Sequence, residues 1–226
     1  MKQNVYDYLE RPKLFDRNDF WRQVRRTING EPIGEDQIQL IVQQVVKCLS
    51  LADSDKLLDI GCGNGALTAR FECLTGEILG IDISDYLIGV AQEYFSSPKL
   101  AFIEQSIEKT IEGDLNKNYN KALLYGVSSY LSDETLERLV TWYFTRSGNA
   151  TMFIGNIRDK CYADDFYKER KNEKELSDPT TAIGKWRTQE WFIELAANSG
   201  LQASITKMPR EYYFSRFYFD LVLTRA

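Results

Sequence analysis

The 226-residue sequence contains no histidine. That removes the commonest metal ligand and the commonest general base near neutral pH, so any chemistry here must run without imidazole. Cysteine is sparse: Cys48, Cys62, Cys73 and Cys161 lie far apart, with no Cys-x-x-Cys pair. Neither a zinc site nor a disulfide framework fits that spacing, and reduced thiols in a reducing compartment are expected. No apolar run approaches the length of a membrane span, and the opening MKQNVYDYLERPK lacks the apolar core of a signal segment. A cytoplasmic location without membrane contact is the expectation. An excess of positive charge is also missing, the formal net charge being −5. This counts against a nucleic-acid backbone as the main partner without excluding a local basic site. Internal repeats and low-complexity stretches are absent too.

What is present fits one α/β domain with some decoration. The first 36 residues, rich in arginine and aromatics, read as one or two short helices ahead of the main fold. Ile38, Ile41, Val42, Val45, Val46 and Leu49 then recur at helical spacing, which predicts a helix over 36–51. From there short apolar runs alternate with helical patterns. Strands are expected at 56–60, 77–81, 99–104, 121–126 and 149–155. Helices are expected after the first glycine cluster through 74, and at 84–95, 132–143 and 188–199. Two final strands, 202–207 and 217–224, have no helix between them and read as an antiparallel hairpin at one end of an otherwise parallel sheet. Residues 159–187 break the rhythm, being polar with interspersed aromatics. They read either as a solvated excursion or as a lid over a site at the strand ends.

The sharpest signal is LLDIGCGNGALT, residues 57–68, where an apolar strand runs into Gly61, Gly63 and Gly65. Glycines let the chain turn tightly and approach a ligand closely, and a following helix would present free N–H groups. Gly61-x-Gly63-x-x-Ala66 also satisfies a dinucleotide-binding fingerprint. Two features weigh against that. Asp59 stands just before the turn, where a carboxylate would repel a pyrophosphate but welcome a cationic amino-acid end. The glycines also recur at every second position. Asp82, in GIDIS at the end of the second strand, falls where an acid can accept both hydroxyls of an adenosine ribose.

These blocks, with QSIE after the third strand and the closing FYFDLVLTRA, resemble the class I methyltransferases that use S-adenosylmethionine (SAM). The resemblance spans residues 37–226. It implies an α/β fold with a seven-stranded, mostly parallel sheet, helices on both faces, an antiparallel C-terminal strand and an N-terminal helical extension. It further implies that 37–226 form the SAM-binding domain and that 1–36 cap the active site. By the same resemblance, Asp59, Gly61, Cys62, Gly63 and Gly65 would hold the methionine end of SAM. Asp82 would hold the ribose, Ile83 would pack on the adenine, and Ser106 and Ile107 would meet the adenine edge. Ser106 departs from the acid usual there. Tyr125 and Gly126 would line the methyl-transfer cleft, with S-adenosylhomocysteine as the product.

Methyl transfer from a sulfonium needs an acceptor held in line, and orientation and desolvation can supply much of the rate. A base is needed only for a protonated, non-acidic acceptor, and no metal is expected. Tyr125, Tyr130 and Asn156 are the candidates nearest the chemistry. Acceptor contacts are expected from Tyr6, Tyr8, Arg11, Trp21, Arg22, Arg25 and Arg26 in the N-terminal stretch, and from Arg158 after the fifth strand. Arg22, Arg25 and Arg26 have the spacing of one helix face, which could grip an anion. Alternatively they form a solvated face paired with Asp16 and Asp19. The N-terminal arrangement also looks like methyltransferases of bacterial surface-sugar or secondary-metabolite pathways, which implies a small polar acceptor. A methyltransferase of protein or nucleic acid, a nicotinamide oxidoreductase and a SAM binder without turnover remain as alternatives.

Overall fold

The structure, a computed structural model, describes residues 8–113, 115 and 119–225. Seven strands form one sheet: β1 (Lys56–Ile60), β2 (Glu77–Asp82), β3 (Leu100–Glu104), β4 (Lys121–Tyr125), β5 (Thr151–Arg158), β6 (Leu201–Thr206) and β7 (Tyr218–Arg225). Their order is β3-β2-β1-β4-β5-β7-β6. The first five are parallel, while β7 inserts antiparallel between β5 and β6. The expected fold class is therefore the observed one, hairpin included.

The helices are α1 (Phe20–Gln23), α2 (Glu35–Leu49), α3 (Asp85–Phe95), α4 (Ile107–Glu112), α5 (Asp133–Arg146), α6 (Ala163–Tyr167), α7 (Glu173–Ser177) and α8 (Gln189–Asn198). None is long and apolar enough to cross a membrane among the described residues. Side chains alternate across the central strands, so each strand feeds both faces. Leu58, Ile60, Ala122, Leu124, Met152 and Ile154 join the core under α5 and α8. Leu57, Leu123 and Phe153 join the opposite core, with Ile38, Ile41 and Val45 of α2. Phe153 is wholly buried, and its truncation to alanine would cost about 3–5 kcal/mol.

Local chemistry sets the helix starts. Ser84, Ser132 and Thr188 cap α3, α5 and α8 by accepting a backbone N–H from Leu87, Thr135 and Trp191. Departures from expectation are equally local. The segment after the glycine turn is a 3-10 helix, Thr68–Leu74, rather than an α-helix. The N-terminal segment adds a 3-10 turn, Arg11–Leu14, and a two-residue ribbon pairing Thr27–Ile28 with Glu31–Pro32. Residues 159–187 are no solvated excursion. They carry α6 and α7 around a small core of Ala163, Leu176 and Trp186. Buried Arg187 fastens the return of this insert, donating to Asp133 Oδ1 and to the carbonyls of Ser128 and Leu131.

The strand order reverses between β1 and β4, which opens a crevice beyond their carboxyl ends. Most of the functional candidates gather there.

Candidate active site

A cavity of about 600 Å³ lies over the carboxyl ends of β1, β2, β4 and β5, a volume typical of small-molecule sites. Its floor is the glycine turn. Gly61 and Gly63 adopt φ of +76° and +58°, a region costly for other residues. A Cβ on Gly61 would strike the Val127 side chain, and one on Gly63 would lie 2.8 Å from Val24 Cγ1. Cys62 and Asn64 share this floor, whereas Gly65 sits beneath it against Phe102 and does not line the cavity.

The turn keeps its amides to itself. Gly61 N and Cys62 N both donate to Ile81 O, at 2.8 and 3.0 Å, and Gly65 N donates to Cys62 O. Gly63 N donates to Asp82 Oδ2 at 2.9 Å, and Ala66 N to Asn64 Oδ1. The N–H groups of Gly61, Cys62, Gly63, Gly65 and Ala66 are therefore already spent within the protein.

The two acids are held differently. Asp82 accepts Gly63 N–H on one oxygen and Ser84 N–H on the other, both at 2.9 Å. Each oxygen keeps a lone pair for a further donor. Burial raises its pKa, and the backbone hydrogen bonds oppose that rise. Asp59 is buried and accepts from Thr68 Oγ1 at 2.6 Å. Burial pushes it up to about 7, with Thr68 and the Arg26 charge pulling down and Asp82 pushing further up.

Beside Asp82, Ile83 leaves 58% of its surface open to the cavity rim. Ser106 and Ile107 line the same end, but Ser106 Oγ is taken as the cap of α4, accepting Lys109 N–H. Gln105 and Glu108 also face the cavity; the sequence reading passed over both.

At the other end, the Arg26 guanidinium lies 4.4 Å over the Tyr125 ring. Burial raises the Tyr125 hydroxyl pKa. A Cβ on Gly126 would stand 3.5 Å from Asn156 Nδ2 and 3.6 Å from Arg26 Nη1, so these groups converge beside this glycine. Asn156 occupies a bulge in β5 with φ of +60°. Its N–H donates to Asp220 Oδ1 at 2.8 Å, which fixes the bend. Arg158 lies 5.7 Å from the ring centres of both Tyr130 and Tyr218.

The N-terminal arginines are not one helix face. α1 stops at Gln23, and Arg25 takes a left-handed φ of +57°. Arg22 pairs instead with Asp19 at 2.8 Å and with Glu31. Arg11 donates to Arg22 O and stacks on Phe15. Neither lines the cavity, while Tyr8, Trp21, Arg25 and Arg26 do. Tyr6 lies outside the described residues. Phe166 and Ile183 of the insert and Tyr213 and Phe214 before β7 complete the wall. The aromatic run at 212–214, in a loop, was the available signal for the last two. No group of three or more Cys, Asp or Glu side chains stands where it could hold a metal among the described residues.

Residues 57–144 match the family described as "Methyltransferase domain". Among curated relatives, an uncharacterized methyltransferase of Schizosaccharomyces pombe is 40% identical over 53 residues, covering 24% of this chain and 20% of that protein. The chain spans about a third or less of the curated relatives it matches. Solved structures match over nearly the whole chain. A SAM-dependent methyltransferase from Clostridium acetobutylicum superposes with a TM-score of 0.68 at 14% identity, over 92% of this chain and 98% of that one. Magnesium protoporphyrin IX methyltransferase from Synechocystis, solved with bound S-adenosylhomocysteine, gives 0.63 at 14% identity, over 92% and 93%. Residues 57–144 thus match a methyltransferase domain, and the chain has the class I, Rossmann-like fold seen in SAM-dependent methyltransferases.

Proposed function

We propose that the protein is a SAM-dependent methyltransferase that acts by direct in-line transfer on a small, polar or anionic acceptor. One observation carries the cofactor assignment. The glycine turn has a buried carboxylate, Asp59, a part-buried one, Asp82, and no spare backbone N–H at Gly61, Cys62 or Gly63. A pyrophosphate needs free amides and no facing carboxylate. An adenosine joined to an amino-acid tail needs carboxylates for its ribose hydroxyls and its ammonium.

In this reading Asp82 accepts from the ribose, Ile83 and Ile107 flank the adenine, and Asp59 meets the ammonium. Arg26, whose charge acts on Asp59, is positioned for the carboxylate of the same tail. Bound there, SAM supplies a methyl group on a sulfonium, activated for displacement. The chain's own part is to orient the acceptor and exclude water. Tyr125, Tyr130 and Asn156 hold the acceptor atom beside Gly126.

The small size of the acceptor is supported by the roof. Tyr8 Oη and Arg25 Nη1 donate to the carbonyls of Thr181 and Ala182, so the N-terminal segment and the insert clasp across the cavity. A protein or nucleic-acid strand would have to displace that clasp.

Calorimetric titration with S-adenosylhomocysteine, with NAD in parallel, tests the cofactor. Micromolar binding of the former, lost in Asp82→Ala and absent for NAD, is expected. Binding of NAD alone would reverse the assignment.

A further inference from the structure

Arg158 is a part-buried cation without a counter-ion among the described residues. It lines the cavity, yet its Nε and Nη1 are shielded from solvent and make no hydrogen bond. No carboxylate lies within ion-pair distance of it among the described residues. The ionisable side chains that face it are Tyr130, Tyr167 and Tyr218, phenols rather than carboxylates. Buried Arg187, by contrast, is matched by Asp133 and two carbonyls. Leaving a guanidinium uncompensated in an aromatic wall is costly. Proteins keep such strain where a ligand relieves it, and unpaired polar groups in a cavity mark functional sites.

The surroundings say what kind of ligand. Phe166, Ile183 and Phe214 give this end of the cavity an apolar wall. No lysine lines the cavity, and its other two arginines are engaged elsewhere, Arg25 donating to Ala182 O and Arg26 lying over the Tyr125 ring. A doubly charged phosphate would be undercompensated by one guanidinium, whereas a carboxylate on an apolar body is matched in charge and in contact surface. We propose that Arg158 is the anchor for the carboxylate of the methyl acceptor, which makes the acceptor a compact acid with an aromatic or otherwise apolar body. This rests on the methyltransferase reading and narrows its acceptor.

Benzoate serves as the probe, with benzamide as its uncharged counterpart and inorganic phosphate as the dianion. Each is titrated into the wild-type protein, Arg158→Gln and Arg158→Lys, with and without S-adenosylhomocysteine. Loss of one charge-assisted contact predicts benzoate binding about tenfold or more weaker in Arg158→Gln. Arg158→Lys should recover part of it. Benzamide should bind the wild type and Arg158→Gln alike. The affinity for S-adenosylhomocysteine should stay unchanged in both variants, and the thermal midpoint of Arg158→Gln should be unchanged or higher. A lower midpoint would assign Arg158 to the fold and overturn the proposal. So would benzoate binding that ignores the substitution, binding no better than benzamide, or tighter binding of phosphate. Failure of S-adenosylhomocysteine to bind any form, with benzoate still recognised through Arg158, would defeat the cofactor assignment and leave this subsite standing.

Discussion

Asn64 in the glycine turn donates through its side-chain amide to the Gln23 side-chain oxygen, 2.8 Å away. The same amide reaches Phe20 O at 2.7 Å, and Gln23 in turn donates to Asp16 O. All of this is buried or partly buried, so the N-terminal segment is bolted to the cofactor turn through one amide. Asn64→Ala would leave buried acceptors unpaired, at about 1–3 kcal/mol for each. Asn64→Asp should be worse, because a carboxylate would then face two carbonyl oxygens. Urea unfolding should rank the three proteins in that order, with tryptic cleavage between residues 17 and 26 accelerating alongside. Equal stability of Asn64→Asp and the wild type would show that the bolt carries no load.

The buried acids give the protein a distinctive pH response. An unfolded aspartate releases its proton near the ordinary carboxylate value, whereas folded Asp59 keeps it up to about 7. Asp220, buried behind the Asn156 bend, keeps its proton up to about 6. Between roughly pH 4 and those values the folded state holds more protons than the unfolded one. Stability of the ligand-free protein should therefore fall as pH rises through this window, then level off above about 7. Asp59→Asn should flatten part of the slope and stabilise the ligand-free protein at pH 8. S-adenosylhomocysteine should respond in the opposite sense if Asp59 meets its ammonium. Below about 7 the carboxyl must first lose a proton, so affinity should weaken as pH falls and plateau above 7. Calorimetry across pH 6 to 8.5 checks both signs. A flat affinity profile would remove Asp59 from the ammonium.

Asp59, Gly61, Gly63 and Asp82 could be found in the sequence because the relevant order is local. A strand, a turn and the next strand end bring them together with little help from the rest of the chain. The alternating apolar runs made the sheet legible for the same reason. The acceptor end was not legible as a constellation. Arg26, Asn156 and Gly126 meet only after β4 and β5 pair, and Arg25 meets the carbonyl of residue 182 across the whole fold. Helical spacing suggested a shared face for Arg22, Arg25 and Arg26, but α1 ends too early for spacing to act. The insert was visible as a break in the pattern, but its helices were missed for their brevity, since α6 and α7 span five residues each. Asn172 and Glu175 do form a capping box, and that pair was a usable sequence sign of a helix.

Gly126 separates a packing effect from an acceptor effect. Its φ of +76° disfavours alanine by about 1–2 kcal/mol. The added methyl would meet Asn156 Nδ2 and Arg26 Nη1 at ordinary contact distance, so the fold can hold it. It would nevertheless occupy the point where these groups converge. Gly126→Ala should lose a little stability and much more turnover, with S-adenosylhomocysteine affinity falling less than kcat. Turnover that tracks only the stability loss would place the acceptor elsewhere.

The clasp over the cavity should control how fast ligands come and go. Tyr8 Oη donates to Thr181 O at 3.2 Å, Arg25 Nη1 to Ala182 O at 2.6 Å, and Tyr130 Oη to Ala182 O at 3.3 Å. The rings of Tyr8 and Tyr130 meet edge to face, 4.6 Å apart. The Tyr8 and Arg25 hydrogen bonds join the first and last thirds of the chain, so these contacts must part before anything enters from that side. Each hydrogen bond contributes about 0.5–1.5 kcal/mol, which makes the closed state several-fold less populated when one is removed. Arg25→Ala and Tyr8→Phe should each speed the release of S-adenosylhomocysteine in stopped-flow experiments, and the double variant should speed it further. Trypsin should cut the insert between residues 168 and 174 faster in these variants, and bound S-adenosylhomocysteine should slow that cleavage in the wild type. Release rates that ignore both substitutions would mean that ligands pass on the Ile83 side, where the cavity rim already presents an exposed apolar side chain.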